Sequence, residues 1–314
     1  MKIGITGATG FIGSYLISYL SRQSGLLIKG LSRGSKADMP ASGPKVCWIK
    51  GDLESPTDCS TFIEDLDVVI HLAHTNTPLT SNRNLASDAR LNLIPTLNLL
   101  QAIKDSERKI HLIYASSGGA VYGRVDCPRH QPLHEDEICS PVTSYGVQKL
   151  AIEAYLRIGV EEKWLVATVL RIGNPYGVLL RPERMQGLIG IAMHQLLTSK
   201  PIRIIGCLDN VRDYIHLRDV CRMIKKVIEI PKGYRVFNVS SGQGRSVKEI
   251  IGMLEEIVGH KIDIVQTLIP ESEQLLVPWI VLSNERARVE LDWEPEIKLI
   301  DGLRSLYSQS IDHS

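Results

Sequence analysis

The 314-residue sequence has almost no net charge: 36 Lys and Arg against 35 Asp and Glu leave +1. A surface built for DNA or an anionic membrane carries a basic excess, so neither is an expected partner. No apolar run approaches the roughly 20 residues needed to span a bilayer, and the mean hydropathy is +0.00. The opening stretch, Met1 to Gly7, lacks the apolar h-region of a signal peptide and reads directly as a strand. The cysteines (Cys47, Cys59, Cys127, Cys139, Cys207, Cys221) form no Cys-x-x-Cys pair and no Cys/His cluster at zinc spacing. A disulfide scaffold and a metal site are therefore not expected, and reduced thiols fit a cytoplasmic protein. Internal repeats and low-complexity tracts are missing too. With 44% hydrophobic and 23% charged residues, what remains is a soluble globular chain long enough for one large or two ordinary domains.

What is present is alternation. Short apolar runs near 2–6, 27–32, 46–50, 67–72, 110–115 and 165–170 read as strands, with helical patterns near 11–23, 57–65, 84–105 and 144–162. That order predicts βαβ units and a parallel sheet. Leu91, Ile94, Leu97, Leu100 and Ile103 recur every three residues as a core-facing stripe, within which Pro95 must kink the helix or lie near its first turn. After about residue 170 the alternation decays. Pro175, Gly177, Pro182, Gly187, Gly190, Pro201 and Gly206 predict a loop-rich stretch with one helix near 188–198. A strand at Val236–Val239 and a helix near 246–258 follow, then a mixed tail broken by Pro270, Pro278 and Pro295. The expected architecture is α/β: a doubly wound parallel sheet over 1–173, with contributions from about 208–240, and a smaller irregular lobe over 174–314. A cleft between them would hold a ligand at the carboxyl ends of the strands.

Gly7-Ala8-Thr9-Gly10-Phe11-Ile12-Gly13 places three glycines between the first strand and the first helix. Gly7 permits the tight turn, Gly10 lets backbone approach a pyrophosphate, and Gly13 lets helix pack close to strand. The helix N-terminus then offers free N–H groups and a positive dipole end to the anion. After the second strand an acid would accept from a ribose 2′-hydroxyl, whereas an arginine accommodates a 2′-phosphate. Ser32-Arg33 stands there with no acid, which leans toward NADP, while Arg33 stacked on adenine or turned to solvent fits equally well.

Ser144-Tyr145-Gly146-Val147-Gln148-Lys149 puts a tyrosine and a lysine four apart at the start of a helix, hence on one face. A phenol ordinarily titrates at about 10, and a neighbouring ammonium stabilises its phenolate. Such a tyrosine can take a proton from a hydroxyl while hydride leaves the same carbon. Upstream, the strand at Tyr114-Ala115-Ser116-Ser117 runs into Gly118-Gly119, a small-residue loop able to offer hydroxyls close to a sugar.

With these motifs assembled, the chain resembles the extended short-chain dehydrogenase/reductase superfamily, in its NAD-dependent nucleotide-sugar epimerase/dehydratase branch, and most of all UDP-glucose 4-epimerase-like proteins of bacterial surface-polysaccharide synthesis. The likeness runs end to end and includes Gly51-Asp52-Leu53, His71-Leu72-Ala73, Asn92, Leu170 to Gly177 and Arg212 to His216. It implies a Rossmann domain holding NAD through the Gly7–Gly13 turn, Ser32, Arg33, Asp52, Leu53, Leu72, Ala73, Asn92, Ile172 and Pro175. It implies Tyr145 as acid/base, with Lys149 gripping the nicotinamide ribose and lowering the phenol's pKa. Asn174, Leu188, Arg203, Ile205 and Arg212 would bind the nucleotide diphosphate sugar, together with Ser117 and Gly118. The family usually forms homodimers through two helices per subunit, here those near 84–105 and 144–162.

The sequence departs from the pattern in three places. The usual relay Ser or Thr is Gly118, so either Ser117 substitutes or Tyr145 meets the sugar directly. Gly119-Ala120 replaces the Asp-Glu pair of dehydratases, which argues against water loss. A phosphate-binding arginine usual before Val277-Pro278 is missing from Glu271 to Leu276. The expected activity is reversible C4 epimerisation of a UDP-glucose or UDP-N-acetylglucosamine type substrate through a 4-keto intermediate. The alternatives are an NADPH-dependent reductase of nucleotide-linked 4-keto-6-deoxysugars and a non-catalytic dinucleotide-binding regulator.

Overall fold

The computed structural model describes residues 1–34, 43, 45–123, 131–179, 187–267 and 277–311. Cys127 and the stretch Glu271–Leu276 lie outside the described residues. The chain divides into two compact units, one of residues 1–124, 138–171 and 221–237, the other of 125–137, 172–220 and 238–314.

The first unit is built on β1 (Lys2–Thr6), β2 (Leu27–Ser32), β3 (Val46–Lys50), β4 (Val68–His71), β5 (Ile110–Ser117), β6 (Leu165–Ile172) and β10 (Tyr234–Val239), in the order β10-β6-β5-β4-β1-β2-β3. The neighbours β1–β2, β1–β4, β2–β3 and β4–β5 are parallel. The order reverses between β1 and β4, and an open parallel sheet binds ligands outside the carboxyl ends of its strands at such a point. Buried strands of this kind read as apolar runs rather than alternation, as in Val68–His71, all four residues of which are buried. Apart from the short α3 (Pro78–Ser81), the helices α1 (Phe11–Ser21), α2 (Pro56–Ile63), α4 (Leu85–Asp105) and α6 (Ser144–Glu161) match the sequence expectation to within about two residues at each end. Pro95 lies well inside α4 rather than in its first turn, with its ring buried, and of the expected core-facing stripe Leu100 and Ile103 are buried whereas Ile94 is exposed. Phe62, Leu66, Leu99, Ile103, Leu112 and Leu156 are among the core that joins these helices to the sheet.

The second unit is more regular than an irregular lobe. A four-stranded sheet combines β7 (Asn174–Tyr176), β9 (Val211–His216), β11 (Gly244–Ser246) and β13 (Trp279–Ile280), and β8 (Ile202–Ile205) pairs with β12 (Ile264–Thr267). Helices α7 (Gly187–Leu197), α9 (Val247–Val258), α10 (Glu285–Leu291) and α11 (Leu299–Ile311) accompany them. Strands of two to four residues are too short to show a period, so pairing rather than local pattern defines them. The helix α8 (Leu217–Ile228), most of which belongs to the first unit, falls within the contribution expected from about 208–240 without having been placed individually: Leu217, Val220, Cys221, Ile224, Val227 and Ile228 sit at helical spacing and all are buried.

Among the described residues no helix is long and apolar enough to cross a membrane, and no group of three His, Cys, Asp or Glu side chains is placed to hold a metal.

Candidate active site

The glycine turn is shaped by contacts that only glycine satisfies. Gly7 has φ +65°, and a Cβ there would lie 2.7 Å from the Ala73 nitrogen. A Cβ on Gly13 would collide with the Gly7 carbonyl oxygen, so the first turn of α1 packs directly on the end of β1. The Gly10 N–H donates to the Gly7 carbonyl at 2.9 Å to close the turn. Gly10 is the N-cap of α1 and brings no side chain to its free N–H groups, and the first turn carries no acid. Three other helices of this unit differ: Ser55 caps α2, Asn84 caps α4 and Thr143 caps α6, each through a side-chain oxygen. An uncapped N-terminus at the switch point, reached only over glycine backbone, fits a dinucleotide pyrophosphate. Thr9, Phe11 and Ile12 are half-buried at its rim.

The remaining cofactor candidates of this unit follow the carboxyl edge of the sheet. Leu72 and Ala73 follow β4, whose end is fixed by His71: its Nδ1 pairs with Thr6 Oγ1 at 2.7 Å and its Nε2 with Thr96 Oγ1 at 2.9 Å. Burial, helped by the Lys149 ammonium, pushes the His71 pKa down to about 3, so the ring is a neutral strut between β1, β4 and α4. Asn92 is buried in α4 and accepts the Thr75 N–H at 2.7 Å. Ser32 is buried and accepts from the Gly34 N–H at 3.2 Å, whereas Arg33 beside it is exposed. Asp52 takes its place through its N–H, which donates to Asp58 Oδ2 at 2.8 Å, and Leu53 is buried.

Tyr145 and Lys149 lie one turn apart on α6. Lys149 is 3% exposed. Its Nζ donates to the Ala115 carbonyl at 2.7 Å and stands 4.8 Å from the Tyr114 ring centre and 5.5 Å from that of Tyr145. Burial pulls its pKa down to about 7, against the opposing pull of Glu153. The half-buried Tyr145 phenol is pushed up to about 12 by burial, and the nearby hydroxyl of Ser117 opposes this. Burial decides the phenol's balance here, Ser117 opposes it, and the missing hydroxyl at Gly118 has a neighbour in its place. Gly118 is buried at the start of the short α5 (Gly118–Val121), and Gly119 faces open space.

Two features escaped the sequence reading. His74 packs edge-on to Tyr145 with ring centres 4.6 Å apart, and its buried Nε2 has no hydrogen-bond partner among the described residues. Burial foremost, then Lys149 and His71, hold its pKa down to about 2, so it too is neutral. One turn beyond Lys149, Glu153 makes a buried ion pair with Arg171 at 2.8 Å and accepts from Ser116 Oγ at 2.5 Å. That pair locks α6 to β5 and β6. A Tyr-x-x-x-Lys-x-x-x-Glu spacing was the available signal for Glu153, whereas His74 had none.

In the second unit Asn174 and Arg212 lie on the adjacent strands β7 and β9, where Asn174 is in register with Tyr214 and Pro175 with Ile215. Asn174 Nδ2 donates to the Asp213 carbonyl at 3.1 Å, and Arg212 Nη1 to the Val211 carbonyl at 2.7 Å. Burial lowers the Arg212 guanidinium's pKa. Ile172 is buried at the end of β6. Leu188 is half-buried on α7, while Arg203 and Ile205 are exposed on β8, in a different sheet from the strands that carry Asn174 and Arg212. Asp213, between Arg212 and Tyr214, accepts from Ser241 N–H at 2.8 Å, Ser241 Oγ at 2.7 Å and Gly242 N–H at 3.0 Å, and burial still pushes its carboxyl up to about 6.

This sheet, this glycine turn and this tyrosine–lysine pair define an extended short-chain dehydrogenase/reductase. The chain belongs to the NAD dependent epimerase/dehydratase family, whose pattern matches residues 3–240. It is 33% identical to the dTDP-4-dehydro-6-deoxyglucose reductase of Escherichia coli, over 96% of this chain and 95% of that one. Its fold is similar to that of the UDP-glucose 4-epimerase of Thermotoga maritima bound to UDP-glucose, with TM-score 0.88, 29% identity and 99% of each chain covered. The UDP-glucose 4-epimerase of Thermus thermophilus in complex with NAD matches with TM-score 0.86, 25% identity and 98% of each chain covered.

Proposed function

We infer that the protein is an NAD-dependent C4 epimerase of a nucleotide sugar of the UDP-glucose or UDP-N-acetylglucosamine type. The observation that carries this is the hydroxyl pair Ser117–Tyr145, backed by Lys149, in the same sheet edge as an uncapped glycine cradle. The Gly7–Gly13 turn would hold NAD, which would supply both the acceptor and the donor of hydride. Tyr145, deprotonated against the upward push of burial, takes the proton of the sugar's C4 hydroxyl, directly or through Ser117, and returns it after the 4-keto sugar has turned over. Lys149 is the cation that can stabilise the phenolate, and its pKa of about 7 lets it carry that charge at neutral pH and below. Asn174 and Arg212 are the residues we assign to the diphosphate, which must stay gripped while the hexose rotates. An arginine fork suits phosphate.

A second reading, an NADPH-dependent reductase of a nucleotide-linked 4-keto-6-deoxysugar, is favoured by Ser32-Arg33 at the end of β2, by the E. coli relative and by a phenol that burial keeps protonated, as a proton donor to a ketone must be. Retention of both Tyr145 and Lys149 disfavours a non-catalytic regulator. The test is to incubate the purified protein with UDP-galactose and its N-acetyl form without added cofactor, watched by NMR, beside a parallel assay of NADPH consumption with a 4-keto-6-deoxysugar. Interconversion of the gluco and galacto forms selects the epimerase; stoichiometric NADPH oxidation selects the reductase.

We also assign a cytoplasmic homodimer. The exposed apolar side chains Leu85 and Ile94 on α4 and Tyr155 and Ile158 on α6 support it. Sedimentation at a single monomer mass would remove that assignment.

A further inference from the structure

Ser144 and Gln148 each stand one place before a member of the Tyr145–Lys149 pair. Four residues apart, they share a face of α6 rotated about 100° from the pair. Both turn to the same atom. Asp88 Oδ2 accepts from Ser144 Oγ at 2.6 Å and from Gln148 Nε2, which also donates to Ser144 Oγ at 3.0 Å. The other oxygen, Oδ1, accepts from Asn76 Nδ2 at 2.6 Å and Asn92 Nδ2 at 3.0 Å. Asn92 in turn accepts the Thr75 N–H. Asp88 lies in the first turn of α4 and is 1% exposed.

One buried carboxylate thus ties the start of α6 to Thr75 and Asn76, the residues that directly follow His74, whose ring lies against Tyr145. An ionised carboxylate has only acceptor sites, about four of them, and here four donors meet it. An amide of the same shape would present two N–H groups to neighbours that are themselves donors. The arrangement therefore needs the charge and not merely the volume.

We propose that Asp88 is a positioning residue for Tyr145: by holding Ser144 and Gln148 with one oxygen and Asn76 and Asn92 with the other, it fixes the gap between the Tyr145 face of α6 and the His74 wall. The proposal rests on the reading of Tyr145 as the acid/base. A group displaced by about 1 Å from its working position can cost on the order of a hundredfold in rate without loss of binding.

The test is Asp88→Asn in the full chain, labelled with 3-fluorotyrosine. The Tyr145 resonance is assigned by its disappearance in Tyr145→Phe. The expected result is a moved or split Tyr145 resonance, kcat lower by about tenfold or more and KM for the nucleotide sugar little changed. An unmoved resonance with kcat unchanged in the folded variant would overturn the proposal, leaving Asp88 a fold-stabilising residue seen only in the melting temperature. A moved resonance in a protein that turns over no nucleotide sugar, even as wild type, would sink the acid/base reading and leave the positioning role standing. If Asp88→Asn does not fold, Ser144→Ala with Gln148→Ala removes only the α6 donors. The same displacement is then expected, and its absence counts against the proposal.

Discussion

Two helix N-termini in the first unit are prepared in opposite ways. That of α1 is made of backbone alone: Gly10 caps it without a side chain and Gly13 lets it press against Gly7. That of α6 is crowded with side chains: Thr143 caps it, Ser144 is held by Asp88, and Tyr145 and Lys149 are tuned by burial, Ser117 and Glu153. The first is suited to an anion whose charge is fixed, for which uncommitted N–H groups and a dipole suffice. The second is suited to moving a proton, which requires groups whose charge can change and whose places are held. On the proposed reading, anion binding and proton transfer thus fall to separate helix N-termini along one sheet edge.

The sharpest way to break this division is to damage each end alone. Tyr145→Phe removes only a hydroxyl, and turnover should fall by about 10²–10⁴-fold. NAD affinity, measured by fluorescence or calorimetry, should stay within a few-fold. Gly13→Ala should do the reverse, because its methyl would collide with the Gly7 carbonyl oxygen and move the first turn of α1. Loss of NAD binding is expected there. Equal loss of both properties in both variants would erase the distinction.

The backbone end was legible in the sequence and much of the side-chain end was not. Gly7, Gly10 and Gly13 report their purpose by spacing, because the demand they meet is local: a turn, a close approach, a free helix end. The strands β1 to β6 were legible for a related reason, since both faces of a parallel sheet are covered and its strands become apolar runs. Tyr145 and Lys149 were found through their i,i+4 spacing. Their surroundings were hidden, because His74 and Asp88 reach α6 from residues 56 to 71 positions away, and only the folded sheet brings them there. The effect of Lys149 on Tyr145 was expected from charge alone. Burial of both groups outweighs it, and burial belongs to the whole fold. In the second unit β7, β11 and β13 were illegible because strands of two or three residues are made by their partners.

A smaller effect sharpens the account of Lys149. Its pKa in the folded chain is about 7, below the ordinary 10.5. Between those values the unfolded chain binds the proton and the folded chain does not, so stability rises with pH across that window. The burial cost is full below pH 7 and gone above the unfolded value. Lys149→Met should therefore raise the melting temperature by several degrees at pH 6, and the gain should shrink toward zero by pH 10. A gain that does not depend on pH would mean that packing, not charge, is what the methionine changes.

The smallest expected effect tests the caps themselves. Thr143 accepts the Gly146 N–H at 3.2 Å, one of the orphan donors of α6. Thr143→Ala should cost about 1 kcal/mol in chemical denaturation, because the N–H loses its partner at a buried helix end. At α1 no such loss is available, since Gly10 supplies no side chain to remove. Gly10→Asp asks the converse question by adding a carboxylate at that end. An acid near a helix N-terminus ordinarily stabilises it by about 0.3–1 kcal/mol, but here the same carboxylate would compete with a bound anion for the free N–H groups. Weaker NAD binding is the expected outcome, with a small stability cost because the new Cβ would lie 3.0 Å from the Gly7 carbonyl oxygen. Unchanged NAD affinity in a folded Gly10→Asp protein would mean that the anion is held elsewhere, and the bare end of α1 would then need another explanation.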